Sequence, residues 1–165
     1  MKILITGGVK SGKSFNAEKR ILEIAKGEIP IYLATTVLID HEMEKRVEVH
    51  RKRRGEKFKT IEESLFLTAA LKNKKAPVLI ECMTMWLNNA MHNEFSEKRI
   101  LSELKNLLSL DNDLIFVLNE VGMGIIPDNL LAREFADLSG RVGQRLGESC
   151  DEVNLCVAGK LLRLK

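Results

Sequence analysis

The stretch Lys2-Ile3-Leu4-Ile5-Thr6-Gly7-Gly8-Val9-Lys10-Ser11-Gly12-Lys13-Ser14 decides how the rest of the chain is read. Its first part, Lys2–Thr6, is a short and nearly continuous apolar run, the pattern of a strand covered on both faces. Its second part, Gly7 to Ser14, fits G-x-x-x-x-G-K-[ST]. Each position has a chemical reason. Gly7, Gly8 and Gly12 let the backbone curl so that N–H groups converge on phosphate oxygens, with Val9, Lys10 and Ser11 completing the curve. The helix expected from Lys13 adds its positive end. Lys13 reaches the outer phosphates, and the Ser14 hydroxyl is placed to ligate Mg²⁺. A strand leading directly into such a loop, with a helix leaving it, predicts a phosphate-binding loop for a nucleoside triphosphate.

Four further apolar runs read as buried strands: Pro30–Thr35, Val78–Cys82, Leu114–Asn119 and Val153–Val157. Helical patterns lie between them. Lys13–Lys26 places Ala17, Ile21 and Ile24 on one side and ends at Gly27, a suitable C-cap. Ile100, Leu101, Leu104, Leu107 and Leu108 form a stripe behind Ser96 as N-cap. Asp128, after Pro127, is expected to cap a long helix carrying Leu131, Phe135 and Leu138 inward. Strands alternating with helices predict an α/β fold, a mainly parallel sheet with helices on both faces. The chain shows no internal repeat or linker, so residues 1–165 read as a single P-loop nucleotide-binding domain.

The bulk properties are those of an ordinary globular protein: 165 residues, 45% hydrophobic and 30% charged. No apolar run approaches the ~20 residues that span a bilayer, and the N-terminus lacks the features of a signal peptide. The expected location is therefore cytoplasmic. Cys82, Cys150 and Cys156 have neither metal nor redox spacing and are expected as reduced, buried thiols. Net charge is only +3, a weak case for nucleic acid. The positive charge is concentrated between Lys45 and Lys59, a patch that suits a polyphosphate as well as a nucleic acid.

A second metal-site carboxylate belongs at a neighbouring strand end, and Val78-Leu79-Ile80-Glu81 supplies Glu81, with Thr84 close behind. Asp40–Arg54 reads as a helix with Met43, Val47 and His50 on one face. Arg46, Arg53 and Arg54 lie within a turn of His50. Their charges disfavour imidazolium and leave a neutral, nucleophilic ring. Spacing alone equally allows a solvated basic helix with an incidental histidine. His41 and His92 carry no assignment. A base-reading Asn-Lys-x-Asp motif is absent, and Asp137-Leu138-Ser139-Gly140 falls mid-helix, so neither supports a regulatory GTPase.

Several separated motifs resemble one family. They are Ile5-Thr6-Gly7-Gly8 through Ser14; Tyr32-Leu33-Ala34-Thr35; Glu42-Met43 and Arg46 through Arg51; Glu81-Cys82 with Thr84, Trp86-Leu87 and Asn89; Asn119-Glu120-Val121-Gly122-Met123-Gly124-Ile125-Ile126-Pro127; and Leu131-Ala132-Arg133, Gly140-Arg141 and Gln144-Arg145-Leu146. From first strand to C-terminus the chain resembles the bifunctional adenosylcobinamide kinase / adenosylcobinamide-phosphate guanylyltransferases of cobalamin assembly. The string from Asn119 to Pro127 is the most specific part, because a generic P-loop kinase has no need of it.

The resemblance implies a RecA-like P-loop fold, a homotrimer, a corrinoid substrate, and GTP and ATP as nucleotides with Mg²⁺. It implies that His50 takes GMP as a phosphoramidate. It also implies that Thr35, Thr36, Val37, Arg51, Lys52, Arg53, Arg54, Glu62 and Glu81 contact the guanine nucleotide. Three positions depart from the family pattern. Phe58 stands where Trp is usual and is expected to keep a stacking surface. Gly55 replaces Pro and is expected to loosen the turn before Glu62. Gly143 replaces Asn. Two rival readings are a monofunctional P-loop kinase of another small alcohol and a non-enzymatic nucleotide or nucleic-acid binder using the Lys45–Lys59 patch.

Overall fold

The computed structural model describes residues 1–37, 47–49, 51, 52 and 54–165. The apolar runs pair into one seven-stranded sheet. Its strands are β1 (Lys2–Gly7), β2 (Ile31–Ala34), β3 (Lys59–Glu62), β4 (Val78–Glu81), β5 (Leu114–Asn119), β6 (Glu152–Val157) and β7 (Lys160–Arg163). They lie in the order β3-β2-β4-β5-β1-β6-β7. All pairings are parallel except β6 with β7, a hairpin at one edge. The helices described from end to end are α1 (Lys13–Ala25), α2 (Leu67–Leu71), α3 (Met83–His92), α4 (Glu97–Leu108) and α5 (Leu130–Ser149).

Alternation along the central strands divides the core in two. Ile3, Ile5, Leu79, Ile115 and Val117 face one way and meet Ala17 and Ile21 of α1. Leu4, Val78, Ile80, Leu114, Phe116 and Leu118 face the other way and meet Trp86 of α3, Leu104 of α4 and Val142 of α5. Both sides being covered explains why these strands are continuously apolar. The α/β expectation with helices on both faces therefore holds. Trp86 is fully buried, and its indole N–H donates to the Leu65 carbonyl at 3.0 Å, so the large ring carries no orphaned donor.

Several expectations need correction. The edge strands β3 and β7 escaped the apolar criterion because they are short and their residues are mostly exposed. Helices α2 and α3 escaped it too, and α3 begins directly at the end of β4. Asp128 does not cap α5; Asn129 does, its Oδ1 accepting from the Ala132 N–H at 2.8 Å. Leu131 is 58% exposed rather than inward, whereas Leu138 is buried. The end of α1 is turned by Lys26 as well as Gly27, both at positive φ. Ser96 does cap α4, and the three cysteines are free and buried.

Gly55 stands at φ 53, so it permits a left-handed entry to a single 3₁₀ turn, Gly55–Lys57, rather than merely loosening it. Phe58 is buried edge-on to Tyr32, with ring centroids 5.9 Å apart, and packs into the core instead of offering an open surface. At Gly143 an added Cβ would come within 3.3 Å of Leu118 Cδ2, so glycine lets α5 lie close to β5. Of the helix expected over Asp40–Arg54, residues 47–49, 51, 52 and 54 are helical. The remainder, including His41, Met43, Arg46, His50 and Arg53, lies outside the described residues.

The Asn129 cap generates a stability prediction. Asn129→Ala should cost about 1 kcal/mol and lower Tm by roughly 2–4 °C in calorimetry. An unchanged Tm would show that the cap contributes nothing to α5.

Candidate active site

The parallel strands bring their C-terminal ends to one edge of the sheet, and the site is built there. β1 delivers Gly7 into the loop, and α1 leaves it at Lys13, with Gly12 at φ 99 as the residue before the helix. Two approaches make glycine necessary in the loop. A Cβ at Gly7 would lie 2.3 Å from the Cys156 carbonyl oxygen, and one at Gly12 would lie 2.9 Å from Gly159 Cα. The β6–β7 hairpin is therefore pressed against the underside of the loop. It is also bonded there: the Gly159 N–H donates to the Ser11 carbonyl at 2.8 Å, and the Cys156 thiol donates to the same oxygen at 3.2 Å. The Asn16 side-chain amide donates to Gly12 O at 3.0 Å and to Gly159 O at 3.2 Å, tying α1 to the same hairpin.

Glu81 ends β4, which is separated from β1 by β5 alone. The Ser14 hydroxyl donates to Glu81 Oε1 at 2.7 Å. The two oxygen ligands expected for a metal are thus brought together from positions 67 residues apart. A hydroxyl and a carboxylate are hard donors, and Mg²⁺ is commonly held by one or two such groups plus substrate phosphates, so the donor set fits that ion. Lys13 is buried, and its Nζ donates to the Gly8 carbonyl at 2.6 Å. Burial lowers its pKa from the ordinary lysine value, and the Glu81 carboxylate opposes that shift. The ammonium is thus held against the backbone of the loop. Ser11 Oγ is buried with no hydrogen-bond partner among the described residues.

Thr35, at the end of β2, is wholly buried. Its hydroxyl donates to Cys82 O at 2.7 Å and accepts from the Cys82 N–H at 2.8 Å. Its carbonyl accepts from the Asn89 side-chain amide at 2.7 Å. The threonine thus joins the ends of β2 and β4 to α3, and its side chain is fully engaged within the protein. Thr36 is half-buried and Val37 exposed, so these two present the surface just beyond the strand. Glu62 stands opposite Ala34 on β2, and Ala34 stands opposite Glu81 on β4. The two carboxylates therefore share one row across the sheet edge. Arg54 is buried with its guanidinium 3.6 Å from the centre of the Tyr32 ring, while Arg51 and Lys52 are exposed. Lys52 pairs with Glu48 at 2.7 Å, an exposed i,i+4 contact worth little. Val9 and Lys10 form the exposed lip of the loop.

Lys13, Ser14 and Glu81 are therefore gathered at one point, with Thr36, Val37 and Glu62 along the same edge. Arg54 is directed into the protein, and His50 and Arg53 lie outside the described residues. Sequence reasoning missed the supports. Asn16, Cys156 and Gly159 lie in no local motif with the loop they hold. Thr84 accepts the Asn119 N–H at 2.8 Å and so ties the end of β5 to α3. Thr84 is the one support that the sequence had already singled out, close behind Glu81.

The fold resembles that of several solved structures. These include the flagellar accessory protein FlaH from Methanocaldococcus jannaschii (TM-score 0.53, 14% identity, 99% of this chain and 77% of that one). Another is a KaiC-like protein from Pyrococcus horikoshii OT3 (TM-score 0.52, 14% identity, 93% of this chain and 69% of that one). Together with the sheet order these make the fold RecA-like. Sequence relatives cover the full chain. The bifunctional adenosylcobalamin biosynthesis protein CobU of Escherichia coli K12 is 35% identical over an alignment 184 positions long, gaps included, and its counterpart in Salmonella typhimurium LT2 is 37% identical over one of 186; both alignments cover all of each chain. CobP of Pseudomonas aeruginosa is 36% identical, with all of this chain and 98% of that one covered. The family model of cobinamide kinase / cobinamide phosphate guanyltransferase matches residues 3–164, and the chain belongs to that family.

Proposed function

We propose that this chain phosphorylates adenosylcobinamide and then transfers GMP from GTP to the product, giving adenosylcobinamide-GDP. The observation that carries the reading is the Ser14–Glu81 contact beside Lys13, in a chain of this family. In the first reaction the hydroxyl oxygen of the aminopropanol arm attacks the γ-phosphorus of ATP or GTP. An O–P bond forms, the bond to the β–γ bridging oxygen breaks, and the nucleoside diphosphate leaves. The hydroxyl proton passes to solvent or to a neighbouring carboxylate. Lys13 and the loop N–H groups neutralise charge that develops on the equatorial and leaving oxygens. Ser14 and Glu81 would hold Mg²⁺, which would supply further neutralisation of phosphate charge when bound.

In the second reaction neutral His50 attacks the α-phosphorus of GTP, forming a P–N bond and expelling pyrophosphate. A phosphate oxygen of adenosylcobinamide phosphate then displaces the histidine, forming the diphosphate link and restoring the ring. Dividing the transfer in two avoids a direct encounter of two polyanions, and Arg51, Lys52 and Arg53 lessen the repulsion that remains. Thr36, Val37 and Glu62 complete the guanine-nucleotide site, and the buried Thr35 and Arg54 support it from within the protein. The unit at work is one P-loop nucleotide-binding domain, residues 1–165, acting in a homotrimer in the cytoplasm, without nucleic acid. Among the described residues no helix is long and apolar enough to cross a membrane.

Incubation with GTP labelled at the α-phosphate should leave acid-labile, alkali-stable label on the protein. His50→Ala should take up none while still phosphorylating adenosylcobinamide; label retained in that variant would move the nucleophile elsewhere. A native protein that phosphorylates the substrate but never labels would be a kinase alone. Glu81→Gln should lower kinase kcat by about a hundredfold with a smaller change in nucleotide KM. A full rate in that variant would remove Glu81 from the metal site.

A further inference from the structure

The string Val121-Gly122-Met123-Gly124-Ile125-Ile126-Pro127 has no part in the reactions above, yet its placement is unusual. It contains no charged residue, in a chain that is 30% charged. Its large side chains face water: Met123 is 80% exposed, Ile125 98% and Ile126 79%. Leu130 and Leu131, in the first turn of α5, continue the same apolar surface. Scattered exposed apolar residues are ordinary, but five within nine positions make a patch of the kind that marks a binding surface.

The patch is rooted at the reacting site. It begins just after β5, the strand between those that carry the phosphate loop and Glu81. The Glu120 N–H donates to the Gly7 carbonyl at 2.9 Å, so the start of the segment is bonded to the loop itself. The Glu120 carboxylate accepts the Gly122 N–H at 2.7 Å and shapes the turn outward. The far end is tied down by Arg133, whose guanidinium donates to Pro127 O at 2.9 Å and Asp128 O at 2.7 Å. Beside the patch is a pocket of about 410 Å³, lined by Met91, Val121, Leu131 and Phe135, with Asn88, His92 and the capping Asn129 as its polar groups.

We infer that this surface, from Met123 to Leu131 with its adjoining pocket, is the seat of the corrin ring of the substrate. The inference rests on the proposed function, which sets the ligand chemistry: a broad, largely apolar macrocycle rimmed with amides, carrying the reactive hydroxyl on a short arm. An uncharged apolar platform suits the face of such a ring. Asn88 and His92 offer hydrogen bonds to rim amides at one edge, and the pocket takes an apolar part of the rim. Continuity with the Gly7–Glu120 junction lets the arm reach the phosphate while the ring stays outside the nucleotide site. The Asn119–Pro127 string thereby gains a purpose that a kinase of a small alcohol would not need.

Ile125→Glu and Leu131→Glu test this, with Ile125→Leu as the conservative control. Binding of adenosylcobinamide is measured by equilibrium dialysis, kinase kinetics are run at saturating ATP, and mass is followed by sedimentation. Each glutamate variant should weaken adenosylcobinamide binding about tenfold or more and raise its KM in step, with Ile125→Leu near the native value. GTP affinity and sedimenting mass should stay as in the native protein. Unchanged corrinoid affinity in both folded variants would overturn the inference and leave the proposed function standing. A drop in mass would identify the surface as a contact between copies and overturn it as well. A native protein that neither binds nor phosphorylates adenosylcobinamide would remove the functional reading and this inference together.

Discussion

Everything at the nucleotide edge depends on how closely the β6–β7 hairpin approaches the phosphate loop. The Gly7 and Gly12 positions admit no Cβ because Cys156 O and Gly159 Cα already occupy that space. The hairpin is joined to Ser11 by two hydrogen bonds and to α1 through Asn16. A loop meant to point many N–H groups at an anion has little reason to hold that shape by itself. Here the C-terminal strands supply the shape from beneath. Such preorganisation is what makes oriented dipoles effective at a developing charge.

The same economy governs the opposite side of the site. Thr35 commits all its side-chain hydrogen bonding to Cys82 and its carbonyl to Asn89, so the ends of β2 and β4 are held together with no help from solvent. Burial raises the Cys82 thiol to about 12, with the Glu81 carboxylate adding to the effect, so the sulfur stays protonated beside that carboxylate. Arg54, stacked on Tyr32, and Phe58, packed edge-on to that ring, anchor the segment leaving the basic helix to the core. A guanidinium in that position is a structural anchor for the segment that also carries Arg51 and Lys52.

The fold was legible where the physics is local. Continuous apolar runs announced the central strands because both faces of the sheet are covered, and G-x-x-x-x-G-K-S placed the turn between β1 and α1. The edges were not legible: β3 and β7 are short and mostly exposed, so no period or apolar run distinguished them from loops. Asn129 rather than Asp128 caps α5, a one-residue ambiguity between two good capping residues that only the backbone path resolves. Of the site, Lys13, Ser14 and Glu81 were readable from motif and strand end. The residues that hold them, Asn16, Cys156 and Gly159, were not, since partners from opposite ends of the chain leave no mark on local sequence. Leu131, read as inward from its spacing, is exposed because α5 begins beyond the edge of the core it later covers.

A single triphosphate grip serving two reactions is the central claim, and it converges on Lys13. The most direct measurement compares Lys13→Ala with the native protein in both assays: phosphorylation of adenosylcobinamide and formation of labelled protein from α-labelled GTP. Loss of both activities by the same substitution, with the variant folded as judged by its thermal transition, is the predicted result. Loss of one activity with the other at its full native rate would contradict a shared site.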